Sequence, residues 1–189
     1  MSTLLIYILT MAITPGPNTV LSAANAASVG LRKGIRLNLG MFLGIAVVTA
    51  VSWAAAEFLY AYIPRGERIM KAAAFIYLLY LSYRMLRGSL SEASAESAGF
   101  LQGMLLQLIN VKVYLLALTA ISAYIMPMSE SLVWKAAYAS LIPLICFLAG
   151  LVWAAGGAMM KKLFTSGRRL LSILFALALL WCAFSLISS

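Results

Sequence analysis

Apolar residues run through this chain in long stretches separated by short polar clusters. Stretches over residues 3–27, 37–62, 100–126 and 132–160 are each long enough for a helix to cross a bilayer, which takes about 20 residues. Two shorter ones, 72–86 (its start readable as early as 69) and 170–187, bring the expected number of spans to six. Gly30-Leu31-Arg32-Lys33-Gly34-Ile35-Arg36 reads as a basic turn before the second span. Residues 64–71 carry Arg65, Glu67, Arg68 and Lys71, and 127–135 and 161–169 form further polar loops. Within the second span Gly40 and Gly44 stand four apart, with Ala46, Ala50 and Ala54 beyond them. Such small residues let helix backbones approach closely. The pattern predicts an all-α integral membrane protein.

Residues 88–99, rich in Ser, Ala and Glu, are the one stretch of solvated composition and divide the chain into 1–88 and 99–189. Each part holds three spans, so the second enters the membrane from the opposite side. The expectation is one membrane domain, 1–189, built as two inverted three-helix repeats, with a substrate site near the midplane at their interface. Arg32, Lys33, Arg36, Arg84, Arg87, Lys161, Lys162, Arg168 and Arg169 fall on one side; Arg65, Arg68, Lys71 and Lys135 fall on the other. Nine against four places the first set in the cytoplasm and both termini outside. Residues 1–27 are expected to be this first span rather than a cleaved signal peptide, because no Lys or Arg precedes the apolar core.

Composition narrows the class. The chain is 64% hydrophobic and 10% charged, with a mean hydropathy of +1.00, well away from a soluble domain. The net charge of +9 sits in short loops rather than on a basic face interleaved with aromatics, so no nucleic-acid partner is expected. With no His and no Asp, the common zinc sites and the serine–histidine–aspartate triad are excluded, and neither metal nor cofactor is expected. Cys146 and Cys182 lie in apolar stretches, as small core residues do.

Polar features inside the spans carry the functional expectation. Thr14-Pro15-Gly16-Pro17-Asn18 interrupts the first span. Pro15 and Pro17 lack backbone donors, and broken backbone at membrane depth is tolerated only against protein or a water-filled cavity. A half-helix starting at Pro17 would aim its free N–H groups into that cavity, with the Asn18 amide beside them. Lys112 in the fourth span carries a charge that costs about 3 kcal/mol near the bilayer centre, so it should face a cavity or a partner. Asn18 and Lys112 each lie roughly 20 Å from their own entry face at 1.5 Å per residue, and from opposite faces they meet near the middle. Asn110 would play the related role in the second half, although nothing forces the fourth span to break there. Glu57, roughly 30 Å along the second span, is an interfacial acid and a candidate for gating or proton coupling.

The Pro15-Gly16-Pro17-Asn18 motif, followed by Gly30, Arg32, Gly34 and then Gly40 with Gly44, resembles the amino-terminal signature of the LysE/RhtB amino-acid exporters. Phe100, Gly103 and Asn110-Val111-Lys112 resemble the second-half signature, in which proline usually stands where this chain has Val111. Ile45 stands where members often carry an acid, and the acid often seen in the fifth span is absent, so this chain would couple differently or transport passively. The resemblance implies a secondary exporter of amino acids or related zwitterions. It would sit multi-pass in a bacterial inner membrane and work by alternating access, with no enzymatic activity. Pro15, Gly16, Pro17, Asn18, Asn110 and Lys112 would meet the substrate. The implied partners are a small amino acid and the lipid bilayer, and the sequence is compatible with a homo-oligomer. A non-transporting membrane scaffold and an intramembrane enzyme are the rival readings.

Overall fold

The computed structural model describes residues 1–54, 75–76, 79–80, 82–83, 99–128, 131–163, 173–174, 176–177, 180–181 and 184, and among these the structure is all-α. The elements are α1 (Ser2–Ile13), α2 (Pro17–Val29), α3 (Leu31–Ala54), α4 (Phe100–Leu108), α5 (Val111–Thr119), a π-helical turn (Ala120–Ile125), α6 (Met126–Met128) and α7 (Leu132–Leu163). Among the described residues three helical stretches, Leu31–Ala54, Val111–Met128 and Leu132–Met160, are long and apolar enough to cross a membrane. The pair α1 and α2, bent by 52°, makes a fourth if taken as one span.

One sequence boundary needs correction, and two spans show detail that the sequence left open. The basic turn before the second span shrinks to Gly30, whose φ of 88° only glycine adopts readily, and α3 starts at Leu31, six residues early. Leu, Arg and Lys are good helix formers, so once Gly30 has turned the chain nothing delays the helix. The fourth span breaks at Ile109–Asn110 and then widens into the π-helical turn. The fifth runs on to Leu163, taking in 161 and 162, and carries Pro143 in its interior. The third and sixth spans lie largely outside the described residues. The residues described there touch: Ser82 Oγ donates to the Ala176 carbonyl at 2.9 Å, and the Phe75 and Phe184 rings meet edge to face at 5.9 Å.

Packing follows the small residues. A Cβ on Gly40 would fall on the Phe100 carbonyl, and one on Gly44 would lie 2.6 Å from the Met104 carbonyl, so α3 and α4 meet backbone to backbone. In lipid, where burying apolar area gains little, such close van der Waals contact is what holds helices together. The other side of α3 presents Leu39, Leu43, Val47 and Val51, a row every fourth residue, exposed and suited to acyl chains.

The contacts also set chain direction. The Tyr7 and Tyr124 rings stack at 5.4 Å, Lys112 reaches Thr14, and Gln107 reaches Asn18, so α1–α2 and α4–α5 run antiparallel. Gly40 against Phe100 and Gly44 against Met104 make α3 parallel to α4. Asn38 beside Gly150 and Phe42 against Phe147 at 5.7 Å make α7 antiparallel to α3. One end of the bundle is filled by apolar side chains of α1, α3, α5, the π-helical turn and α7, among them Leu4, Ile8, Ile45, Leu116, Ile121 and Ile142.

Candidate functional site

Accounting for the backbone at the first break shows what holds it open. Pro17 has no N–H for the Ile13 carbonyl, and Trp153 Nε1 of α7 donates to that carbonyl instead, at 3.2 Å. The Thr14 carbonyl accepts from Lys112 Nζ at 2.9 Å. Gly16 is fully extended, and its N–H donates to Thr19 Oγ1 at 2.9 Å while the Thr19 hydroxyl donates back to the Gly16 carbonyl at 3.0 Å. The α2 ladder begins with Val20 N–H on the Gly16 carbonyl, so the amides of Asn18 and Thr19 precede its first rung.

The second break is built differently and ends similarly. Ile109 lies at φ −109°, ψ 0° and Asn110 at φ −86°, ψ 95°, after which Val113 and Tyr114 donate to the Asn110 carbonyl at 2.9 and 3.4 Å. An asparagine at this position ordinarily caps its own helix. Asn110 instead turns its amide across the interface and donates to Asn18 Oδ1 at 2.9 Å. Gln107, fully buried, completes the bridge: Asn18 Nδ2 donates to its Oε1 at 2.7 Å, and its Nε2 lies 3.2 Å from Asn18 Oδ1 and 3.1 Å from the Gly103 carbonyl. Three amide side chains thus tie the two breaks together.

Between the breaks lies a cavity of about 40 Å³, with Gly16, Pro17, Asn18, Asn110 and Lys112 on its polar side and Ile45, Leu116, Cys146 and Phe147 on its apolar side. A water needs roughly 10–15 Å³ of such space, so the cavity holds a few waters and a larger solute enters only when the walls move. Two half-helices of antiparallel segments present their N-termini here, next to the Lys112 ammonium. Each N-terminus carries partial positive charge, so the site favours an anion. Lys112 Nζ lies 3.2 Å from where a Gly16 Cβ would be, so glycine lets the ammonium close on the break. At the edge of the cavity, Ser22 Oγ donates to Asn38 Oδ1 at 2.8 Å and Asn38 Nδ2 donates to the Gly34 carbonyl at 3.3 Å, both side chains buried.

Of the residues expected from sequence, Gly16, Pro17, Asn18, Asn110 and Lys112 converge on one cavity. Pro15 is exposed and stands outside its wall; it helps make the break without facing the site. Glu57 lies outside the described residues. Gln107, Asn38 and Trp153 were not singled out as site residues. The spacing of three between Gln107 and Asn110, which puts both on one helix face, was the available signal for the first. For Trp153 there was none. Among the described residues no group of three or more His, Cys, Asp or Glu side chains could hold a metal.

The LysE type translocator family model matches residues 9–189. Proteins named cysteine/O-acetylserine efflux protein, from Escherichia coli (strain K12), E. coli O139:H28 (strain E24377A / ETEC) and Shigella flexneri, are 30% identical over 179 residues, 94% of this chain and 92% of theirs. No solved structure gives a significant match. The chain belongs to the LysE type translocator family, and it is a multi-pass membrane transporter rather than an enzyme.

Proposed function

We propose that this protein exports small amino acids or related zwitterions across a bacterial inner membrane by alternating access. The observation that carries the reading is the head-to-head approach of two half-helix N-termini beside Lys112 in one cavity. The substrate carboxylate takes the place between Lys112 and the amides of Asn18, Thr19, Val111 and Lys112, held by charge-assisted hydrogen bonds. Lys112 swings from the Thr14 carbonyl to that carboxylate, which frees the carbonyl to accept the substrate's ammonium. The relatives named for cysteine and O-acetylserine efflux support the same class.

The proposed architecture is a single membrane domain over 1–189, with six spans as two inverted repeats meeting at this cavity and both termini outside. The antiparallel contacts of α1–α2 with α4–α5, each broken at its crossing, support the inverted arrangement, and the nine-to-four distribution of Lys and Arg supports the side assigned to the termini. Proteoliposomes containing the purified protein and loaded with O-acetyl-L-serine test the function, with and without an imposed pH gradient. Release faster than from protein-free vesicles, and competed by internal cysteine, is the expected result. Release no faster than from empty vesicles for either amino acid counts against the reading.

A further inference from the structure

The cavity closes toward one end on an apolar plug, and the helix face that lines it does not stop being polar there. On α3, Asn38, Met41 and Ile45 form the wall, and steps of four and three residues continue the same face to Thr49 and Ser52. Both are almost wholly buried, at 5% and 0% exposure, and neither hydroxyl has a hydrogen-bond partner among the described residues. Leaving a buried hydroxyl unmade costs on the order of 1–3 kcal/mol, and a helical Thr or Ser usually avoids this by bonding back to its own helix. Two such hydroxyls a turn apart therefore point to a ligand or water they meet in another conformation. Their surroundings are built to move. Pro143 in α7 cannot donate to the Ala139 carbonyl, and the α3–α7 register set by Asn38–Gly150 and Phe42–Phe147 brings that stretch alongside. The π-helical turn Ala120–Ile125 packs into the same cluster, and π-bulges recur at functional sites.

We infer that Thr49 and Ser52 line the exit path and form a transit site for polar solutes leaving the cavity, with Ile45 as the barrier between cavity and path. The inference rests on the transport reading above and adds the route. When the plug parts, the two hydroxyls and the Ala139 carbonyl offer donors and acceptors to a zwitterion or to the waters moving with it, and when it closes they are left dry.

Thr49→Cys and Ser52→Cys, each reconstituted and treated on the outer face with a charged, membrane-impermeant methanethiosulfonate reagent, test it by peptide mass spectrometry. The unsubstituted chain, bearing only Cys146 and Cys182, is the control. O-Acetyl-L-serine inside should speed modification of both new thiols by about tenfold, the change expected if the substrate favours the open state tenfold, and modification should stop efflux. Reaction from the inner face alone would overturn the outward direction of the path. Unchanged modification while O-acetyl-L-serine efflux proceeds would overturn the route itself. A substrate-free arm separates this from failure of the transport reading: with the reagent on the inner face, so that it must pass from the cavity to the path, Ile45→Ser combined with Thr49→Cys should react several-fold faster than Thr49→Cys alone. Equal rates in two folded variants overturn the barrier role of Ile45, whatever the substrate.

Discussion

Asn18→Ala removes the centre of the bridge between the two breaks, and its cost can be worked from the contacts. Three hydrogen bonds are lost, two shared with Gln107 and one from Asn110. Asn110 lines the cavity, so water replaces its partner at little cost. Gln107 is fully buried and outside that lining; its Nε2 keeps the Gly103 carbonyl, and its Oε1 is stranded. One stranded buried acceptor plus the lost pairing comes to about 2 kcal/mol. Asn110→Ala leaves the Asn18–Gln107 pair intact and should cost only about 0.5–1 kcal/mol. In detergent, followed by tryptophan fluorescence, Asn18→Ala should lower Tm by about 5 °C, given roughly 2–4 °C per kcal/mol at this size. A double-mutant cycle with Gln107→Ala should show coupling of about 1 kcal/mol or more, because removing both partners leaves no stranded acceptor. If the two losses simply add, the amides do not brace the breaks and this account of their geometry is wrong.

Other consequences are open to measurement. Gly44→Ala pushes a methyl to 2.6 Å from the Met104 carbonyl and 2.7 Å from Gln107 Cγ, so it should cost about 1–3 kcal/mol and weaken transport together with stability; wild-type Tm would argue against the close α3–α4 contact. Trp153→Phe removes the donor to the Ile13 carbonyl and should cost about 1 kcal/mol; no change in Tm or transport would mean that bond is not needed to hold the break. For orientation, Ser94→Cys should resist an impermeant thiol reagent on intact cells and react after permeabilisation, and ready labelling of intact cells would reverse the assignment of both termini to the outside.

What could be read from the sequence was whatever has a local cause. Pro15, Gly16 and Pro17 break a helix by their own chemistry, and α1 ends at Ile13 and α2 begins at Pro17 as that requires. Lys112 was legible because an ammonium in an apolar span is costly wherever it points. The break at Asn110 was not, because Val111 allows a helix and the amide's partner, Asn18, lies 92 residues away. Trp153 was missed for the same reason: an aromatic in an apolar helix looks like packing until the Ile13 carbonyl is placed beside it. The early start of α3 was obscured by charge, since Arg32, Lys33 and Arg36 suggested a loop although each is a good helix former.

The central claim is that Lys112 and the first break hold the substrate carboxylate together, and O-acetyl-L-serine efflux from proteoliposomes containing Lys112→Met or Lys112→Arg tests it most directly. A charged hydrogen bond of about 1.5–3 kcal/mol predicts that the methionine variant, inserted and folded at the wild-type level, loses about 10- to 100-fold in transport. The arginine variant, which keeps the charge and alters the reach, should retain part of it. Wild-type efflux from Lys112→Met would contradict the account.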